Sequence, residues 1–426
     1  VPELVIKGGR VIDQTGERVA DVAIEGDRVV EVGPDRDPRG ARVLDASGAI
    51  VAPGLVDLHT HLREPGREDA ETIETGCRAA VLGGYTAIVA MPNTSPTIDN
   101  ASVVQFVLDA GRSAVCDVHT SAAVTVGRRG EALAPMAELA ALGVRIFTDD
   151  GSGVQDDRLM RRAMEYAGDL GVILAQHCEI ESLAAGGHMH EGEWSSRLGI
   201  PGIPAEAEEL MVQRDLALAG LTGTPVHFQH LSTAVSVELV RAAKHRGLPV
   251  TAEATTHHFT LTHAEVAGYD PLFKVNPPLR TADDVAAIRA GLADGTIDAI
   301  ATDHAPHTQQ DKEAPFDQAP PGMLGLETAL ALALTELDLP IAEILALMSW
   351  RPGAIAGLAP AHGGPIVAGG AANLCVIDPN VTWTVDPDGG ASLSRNTPYA
   401  GRSLTGKVRH TIVFGEAVVV DSEVQR

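Results

Sequence analysis

The chain has 426 residues, of which 45% are hydrophobic and 21% charged, with a formal net charge of −25. That balance describes a globular chain with a sizeable core, long enough for one large barrel and a smaller module. The acidic excess argues against nucleic acid as a partner, because phosphate binding needs clustered Lys and Arg. One local Arg can still hold an anionic small molecule inside an acidic protein. Aromatic residues make up only 3%, which leaves the core to Ala, Val, Leu and Ile. The four cysteines (Cys77, Cys116, Cys178 and Cys375) are scattered without a CxxC pair and read as reduced thiols. No leader-like apolar segment opens the chain, and no run approaches the roughly eighteen apolar residues of a membrane span. The expectation is a cytoplasmic protein with no membrane partner.

In chain order, the first stretch predicts short strands at 4–7, 10–13, 19–25 and 28–32, with turns at Gly8-Gly9, Gly16 and Gly26-Asp27. The far end looks alike, with strands at 374–377 and 408–420 and a hairpin signal at Gly415-Glu416. Between the two ends, short apolar runs alternate with helical spacing. Strands are expected at 54–59, 85–91, 115–121, 144–148, 172–177, 225–231, 249–255 and 297–302. Helical patterns cover 70–82, 136–142, 157–170, 205–219, 235–246 and 282–293. Eight alternations of this kind predict an α/β fold of the (β/α)₈ barrel type. A doubly wound open sheet would usually carry a Gly-rich turn after its first strand; this chain has His-Thr-His there. The expected organisation is a small β-domain built from both termini, 1–53 plus 365–426, flanking a barrel over 54–364.

In such a barrel, catalytic groups project from the C-terminal strand ends. Those ends carry His59 and His61, then Asp149-Asp150, His177, His230 and Asp303. Residues two apart on a strand share a face, so His59 and His61 can grip one ion together. Imidazole and carboxylate suit a divalent zinc that keeps a position open for water. Singly, each of these residues reads more readily as structural; four His and two Asp at one barrel end point to a metal. Other histidines read differently. His188-Met-His190 repeats the spacing but lies in a Gly-flanked stretch read as a loop. His257-His258 follow the seventh strand, where they could support the ligands. His119, near the end of the third strand, is read as a core residue, and Cys178 as packing.

The motifs Pro53-Gly54-Leu55-Val56-Asp57-Leu58-His59-Thr60-His61-Leu62-Arg63-Glu64-Pro65-Gly66 and Ala90-Met91-Pro92-Asn93-Thr94 resemble those of class I dihydroorotases of the amidohydrolase superfamily. Phe147-Thr148-Asp149-Asp150-Gly151, Asn276-Pro277-Pro278-Leu279-Arg280, Thr302-Asp303-His304-Ala305-Pro306-His307 and Gly325-Leu326-Glu327-Thr328 extend the resemblance along nearly the whole chain. The resemblance implies a distorted (β/α)₈ barrel with a composite β-sandwich from the two ends, and a zinc-dependent enzyme that reversibly cyclises N-carbamoyl-L-aspartate to dihydroorotate in pyrimidine biosynthesis. It implies His59, His61, Asp150, His177, His230 and Asp303 as zinc ligands, with Asp303 also the acid/base. None of the five lysines stands at the end of strand four, where many relatives bridge two metals with a carboxylated lysine. Asp150 stands there instead, so two zinc ions are expected, with one as the alternative. Arg63, Asn93 and His307 are implied as readers of the substrate carboxylate. Asn276 and Pro321-Gly322 are implied at the ring amide, and His61 lies beside them. The 309–321 stretch has little periodicity and reads as a mobile loop at the mouth, its composition leaving a lid role open. A homodimer is expected, with association to aspartate transcarbamoylase as a further partner. An allantoinase- or hydantoinase-like enzyme is the nearest alternative; it usually acts on a ring without a carboxylate for Arg63 to meet. A non-catalytic scaffold is disfavoured because the ligand set is complete.

Overall fold

The computed structural model describes residues 2–38 and 40–425; Val1, Arg39 and Arg426, which fall within the expected terminal module, lie outside the described residues. Eight short parallel strands form the centre: β1 (Leu55–Thr60), β2 (Tyr85–Ala90), β3 (Asp117–Thr120), β4 (Ile146–Phe147), β5 (Ile173–Gln176), β6 (Val226–Phe228), β7 (Val250–Thr255) and β8 (Ala299–Ala301). They form one ladder of β1–β2–β3 and another of β4–β5–β6–β7–β8. Two parallel bridges join the ladders, Ala122 to Phe147 on one side and Thr60 to His304 on the other, which closes the barrel. Every residue of β1 and β2 is buried, as expected for parallel strands covered by helices.

The covering helices follow from local sequence. Asp157–Leu170 begins where the Asp156 carboxylate accepts the Leu159 amide at 2.6 Å and ends at Gly171 in the left-handed region. It buries Met160, Ala163, Met164 and Ala167, the spacing of one helical face. All eight expected strands and all six expected helices are present with trimmed or shifted ends. The expectation left out Ala101–Gly111, capped by Asn100, and the late helices Ala329–Glu336, Ile341–Leu345 and Arg351–Ile355. The first of these has Val103, Val104 and Val107 on its buried face, a β-branched run that propensity alone assigns poorly.

Both chain ends build one nine-stranded sheet, with Leu374–Thr384 pairing antiparallel to Ile50–Pro53. One face, including Leu4, Ile6, Val22, Val51 and Val376, forms its own core. Ile50, Ala52, Cys375 and Ile377 join the core of the barrel, so the two parts pack as one body. Gly8-Gly9 is not the expected turn. Leu4–Asp13 is a single strand with a bulge there. The Gly8 amide donates to Asp21 Oδ1 at 2.8 Å, and a Cβ on Gly9 would meet Val51 Cγ2 at 2.5 Å. The glycines allow close approach inside a sheet rather than reversing the chain. All four cysteines are buried and free. Among the described residues no helix is long and apolar enough to cross a membrane.

Candidate metal centre

The C-terminal strand ends bring the six expected ligands together. His59 and His61 leave β1, Asp150 follows β4, His177 follows β5, His230 follows β6 and Asp303 follows β8. His230 and Asp303 have positive φ (29° and 47°), a region that non-glycine residues seldom occupy. The chain turns sharply at these strand ends, and that turn aims both side chains into the mouth. All six are buried.

Asp150 is the hub. Its Oδ1 lies 3.3 Å from His59 Nε2, 3.7 Å from His177 Nδ1 and 3.9 Å from His230 Nε2, and its Oδ2 lies 3.6 Å from His61 Nε2. Two triads capable of holding an ion share it: His59, His61 and Asp150, and Asp150, His177 and His230. Asp303 stands beside the first triad, with Oδ1 2.9 Å from His61 Nε2 and 3.5 Å from His59 Nε2. Asp149, the sequence neighbour of Asp150, plays no part in this set. Asp149 Oδ1 accepts the Val124 and Thr125 amides at 2.9 and 3.0 Å, which holds the loop in place.

The donor set fits divalent metal. His59 Nε2 is buried without a hydrogen-bond partner, although it faces two carboxylates. His177 Nδ1 and His230 Nε2 point at each other across 2.9 Å. Burial works against a charge on Asp150, yet the His59, His177 and His230 imidazoles hold its carboxyl well below the usual range. Burial likewise opposes a charged His59, and the Asp150 and Asp303 carboxylates raise it well above its ordinary value. Two buried carboxylates that require positive charge, faced by imidazole nitrogens, form the environment a cation would satisfy.

Several partners orient these rings. His59 Nδ1 meets Glu253 Oε1 at 2.8 Å, and Glu253 Oε2 meets His227 Nε2 at 3.0 Å. Burial would raise the Glu253 carboxyl, but His227 and His59 bring it down to about 2. His61 Nδ1 meets Asn93 Oδ1 at 2.9 Å, while Asn93 Nδ2 donates to Asp150 Oδ2 at 3.3 Å. Asn93, expected at the substrate, therefore also ties two ligands together. Sequence reasoning did not single out Glu253. The signal available was a lone acid inside an otherwise uncharged buried strand.

A cavity of about 180 Å³ opens over the ligands. Arg63, Asn93, Asn276, His307, Pro321 and Gly322 line it together with His61, Asp150, His177, His230 and Asp303. Arg63 donates from Nε to the Pro306 carbonyl at 3.0 Å, and its Nη2 lies 3.3 Å from His307 Nε2. Among the described residues it forms no ion pair. Burial lowers its guanidinium only to about 10, so it is charged at neutral pH. Burial and the Arg63 charge push His307 down to about 3, and its neutral ring faces the Pro321 carbonyl at 2.8 Å. The Gly322 amide already donates to Lys274 O at 2.8 Å, whereas Asn276 Oδ1 is buried without a partner. A Cβ on Gly322 would stand 2.7 Å from Ala305 Cβ and 2.9 Å from His307 Nε2, so only glycine fits that wall.

The remaining candidates fall elsewhere. Met189–His190 is a short strand paired with Gly202–Ile203 rather than a loop, because His190 Nδ1 sits against the buried Arg280 guanidinium at 3.2 Å. His258 bridges Thr255 Oγ1 and the Pro277 carbonyl at 2.7 and 3.0 Å. His119 is not a core residue; its side chain is 33% exposed beside Asp117. Cys178 packs in the main core. The 309–321 stretch begins with a helical turn at Gln309–Lys312 and is tied down by Arg67–Asp311 at 2.6 Å and by Lys274 Nζ to Phe316 O at 2.8 Å.

Comparison with known proteins agrees with this geometry. The family model described as Dihydro-orotase-like matches residues 48–236. The dihydroorotase of Pelotomaculum thermopropionicum is 49% identical, covering 98% of this chain and 99% of its own. That of Streptomyces coelicolor is 50% identical, with the same coverage of both chains. This chain belongs to the dihydroorotase family. Among solved structures it is similar to the L-hydantoinase (dihydropyrimidinase) of Arthrobacter aurescens, with a TM-score of 0.90 and 25% identity, covering 100% of this chain and 98% of that one. The D-hydantoinase of a Thermus species gives a TM-score of 0.85 at 26% identity, covering 99% and 96%. Dihydroorotases and hydantoinases therefore share this barrel.

In this family member, Glu253→Gln keeps the shape of the side chain but removes the charge behind His59. The expected outcome is a 10- to 100-fold weaker hold on metal, on the order of other losses of a ligand's hydrogen-bond partner. Metal retained after dialysis against graded chelator measures it; retention equal to the parent would show that Glu253 does not orient the ligand.

Proposed function

We propose that this chain is a zinc-dependent dihydroorotase that interconverts N-carbamoyl-L-aspartate and (S)-dihydroorotate, with two ions at the barrel mouth. The observation that carries the substrate choice is Arg63, a charged guanidinium with no ion pair among the described residues, facing the cavity beside the metal centre. A ring bearing a carboxylate supplies its counter-ion, and a neutral hydantoin or allantoin ring does not.

The residues divide the work as follows. Asp150, common to both triads, would help to hold two ions, one with His59 and His61 and the other with His177 and His230. When bound, such a metal lowers the pKa of a coordinated water towards about 7 and polarises a carbonyl. Asp303 takes the proton released at attack and returns it to the departing ring nitrogen, and the same carboxyl serves both directions. Arg63 binds the substrate carboxylate, flanked by Asn93 and His307. The unpartnered Asn276 Oδ1 accepts from a ring N–H, and Pro321 and Gly322 form the wall opposite. The closed shape of that wall, with Gly322 against Ala305 and His307, limits the ring that enters. The chain divides into a composite domain, 1–53 plus 365–426, and a barrel, 54–364. The setting we assign is a cytoplasmic homodimer in de novo pyrimidine synthesis, with aspartate transcarbamoylase as a candidate partner.

Assays in both directions, run beside hydantoin and allantoin, test the reading; turnover of the neutral rings with none of dihydroorotate would overturn it. Arg63→Ala should lower kcat/KM for dihydroorotate by about 10- to 100-fold, the worth of one charge-assisted pair. Its effect on a ring lacking the carboxylate should be far smaller, and equal losses on both would make Arg63 structural. Asp303→Asn should cost at least about 10²-fold in kcat. Near-normal turnover with zinc retained would remove Asp303 from proton transfer.

A further inference from the structure

The opposite end of the barrel holds a second cluster of ligand-type side chains that takes no part in the mouth. Asp117 opens β3 and His119 follows two residues later, so both project from one side of the strand. Val118 between them packs against Gly111 of the Ala101–Gly111 helix, so Asp117 and His119 face away from the helical layer. His362 reaches them from the segment between the Arg351–Ile355 helix and the Leu374–Thr384 strand. Asp117 Oδ2 lies 3.0 Å from His119 Nε2 and 2.9 Å from His362 Nε2. The three ligand atoms all fall within 4.8 Å of one another.

We propose that Asp117, His119 and His362 form a structural site for a zinc-like divalent ion, with water completing a four-coordinate shell. Two imidazoles and a carboxylate are a set that zinc accepts. At metal–ligand distances of about 2.0–2.1 Å, neighbouring ligands of a tetrahedron stand about 3.3 Å apart. The carboxylate–imidazole edges here need only a small expansion to reach that spacing. They are shorter than the 3.3–3.9 Å edges around Asp150 at the mouth, so the cluster is at least as well gathered. The His362 ring is buried and fixed from behind, its Nδ1 3.0 Å from Thr86 Oγ1. A hydrogen bond of that kind commonly orients a metal-bound imidazole. Asp117 and His119 are 29% and 33% exposed, which supplies an entry path and a place for water. Thr86 and Asp117 both sit at the N-terminal ends of their strands, the barrel face associated with stability rather than chemistry. An ion there would fasten β3 to the segment leading into the terminal sheet.

The test does not depend on the proposed reaction, because it counts metal. The full chain, saturated with zinc and freed of excess by gel filtration, is analysed by atomic emission beside His119→Gln and Asp117→Asn. Both positions are partly exposed, so the variants should fold. The parent is expected to carry one more zinc per chain than either variant, with equal turnover in all three. Added zinc should also raise the melting temperature of the zinc-depleted parent further than that of His119→Gln. Equal zinc in parent and variants would overturn the proposal. So would a loss of zinc that brings an equal loss of turnover, since the missing ion would then belong to the mouth.

Discussion

The carboxylate of Asp150 is the constraint around which the barrel mouth is arranged. It is buried, and a buried charge is tolerated only when opposite charge and hydrogen bonds surround it. Four imidazoles from three separate strands and an amide from a fourth converge on it. No single βα unit could assemble that set. Closing eight strands into a barrel is what brings His59, Asp150, His177 and His230 within a few ångströms of one another. The geometry that shields Asp150 also produces two ion-holding triads with one shared member.

Around this hub, the two rings from β1 are held from behind so that the other nitrogen is aimed. Glu253 and Asn93 do this for His59 and His61, and each is itself tied to a further group. Positive φ at His230 and Asp303 shows the backbone departing from its preferred range where both side chains enter the cavity. Arg63, also at positive φ, lines the same cavity. Among the described residues it is the one Arg or Lys side chain in the cavity lining, and it spends its hydrogen bonds on neutral partners. The barrel is shared with hydantoinases, so the fold alone does not distinguish one substrate from another.

The two ends of the barrel present the same ligand chemistry in different surroundings. At the mouth the imidazoles and carboxylates are buried and carry an unmet demand for positive charge. At the base, Asp117 is held well below its usual range by hydrogen bonds from His119 and His362, against the effect of burial, and is partly open to water. The first arrangement suits reaction and the second suits fastening. His362 shows how that fastening operates, since it packs edge-on against Phe414 of the terminal sheet while reaching the barrel through Thr86 and Asp117.

The sequence by itself determined the barrel, its strand order and its candidate ligands. Apolar alternation sets the period of each element, and parallel strands with helical crossovers leave few ways to close. His-Thr-His at a strand end and Asp149-Asp150 after β4 were legible because side-chain direction along a strand follows from position. The resemblance already singled out Asp150 of those two aspartates, and the tertiary structure supplies the reason, because Asp149 is claimed by the Val124 and Thr125 amides of a neighbouring loop. Tertiary structure alone decided that Gly8-Gly9 is a bulge, since the Val51 side chain that requires it lies on another strand. It also decided that Glu253 backs His59 and that His119 meets His362, partners separated in the chain by 194 and, through Asp117, 245 positions. Contacts across such distances depend on where closure of the barrel brings the strands, and no local pattern records them.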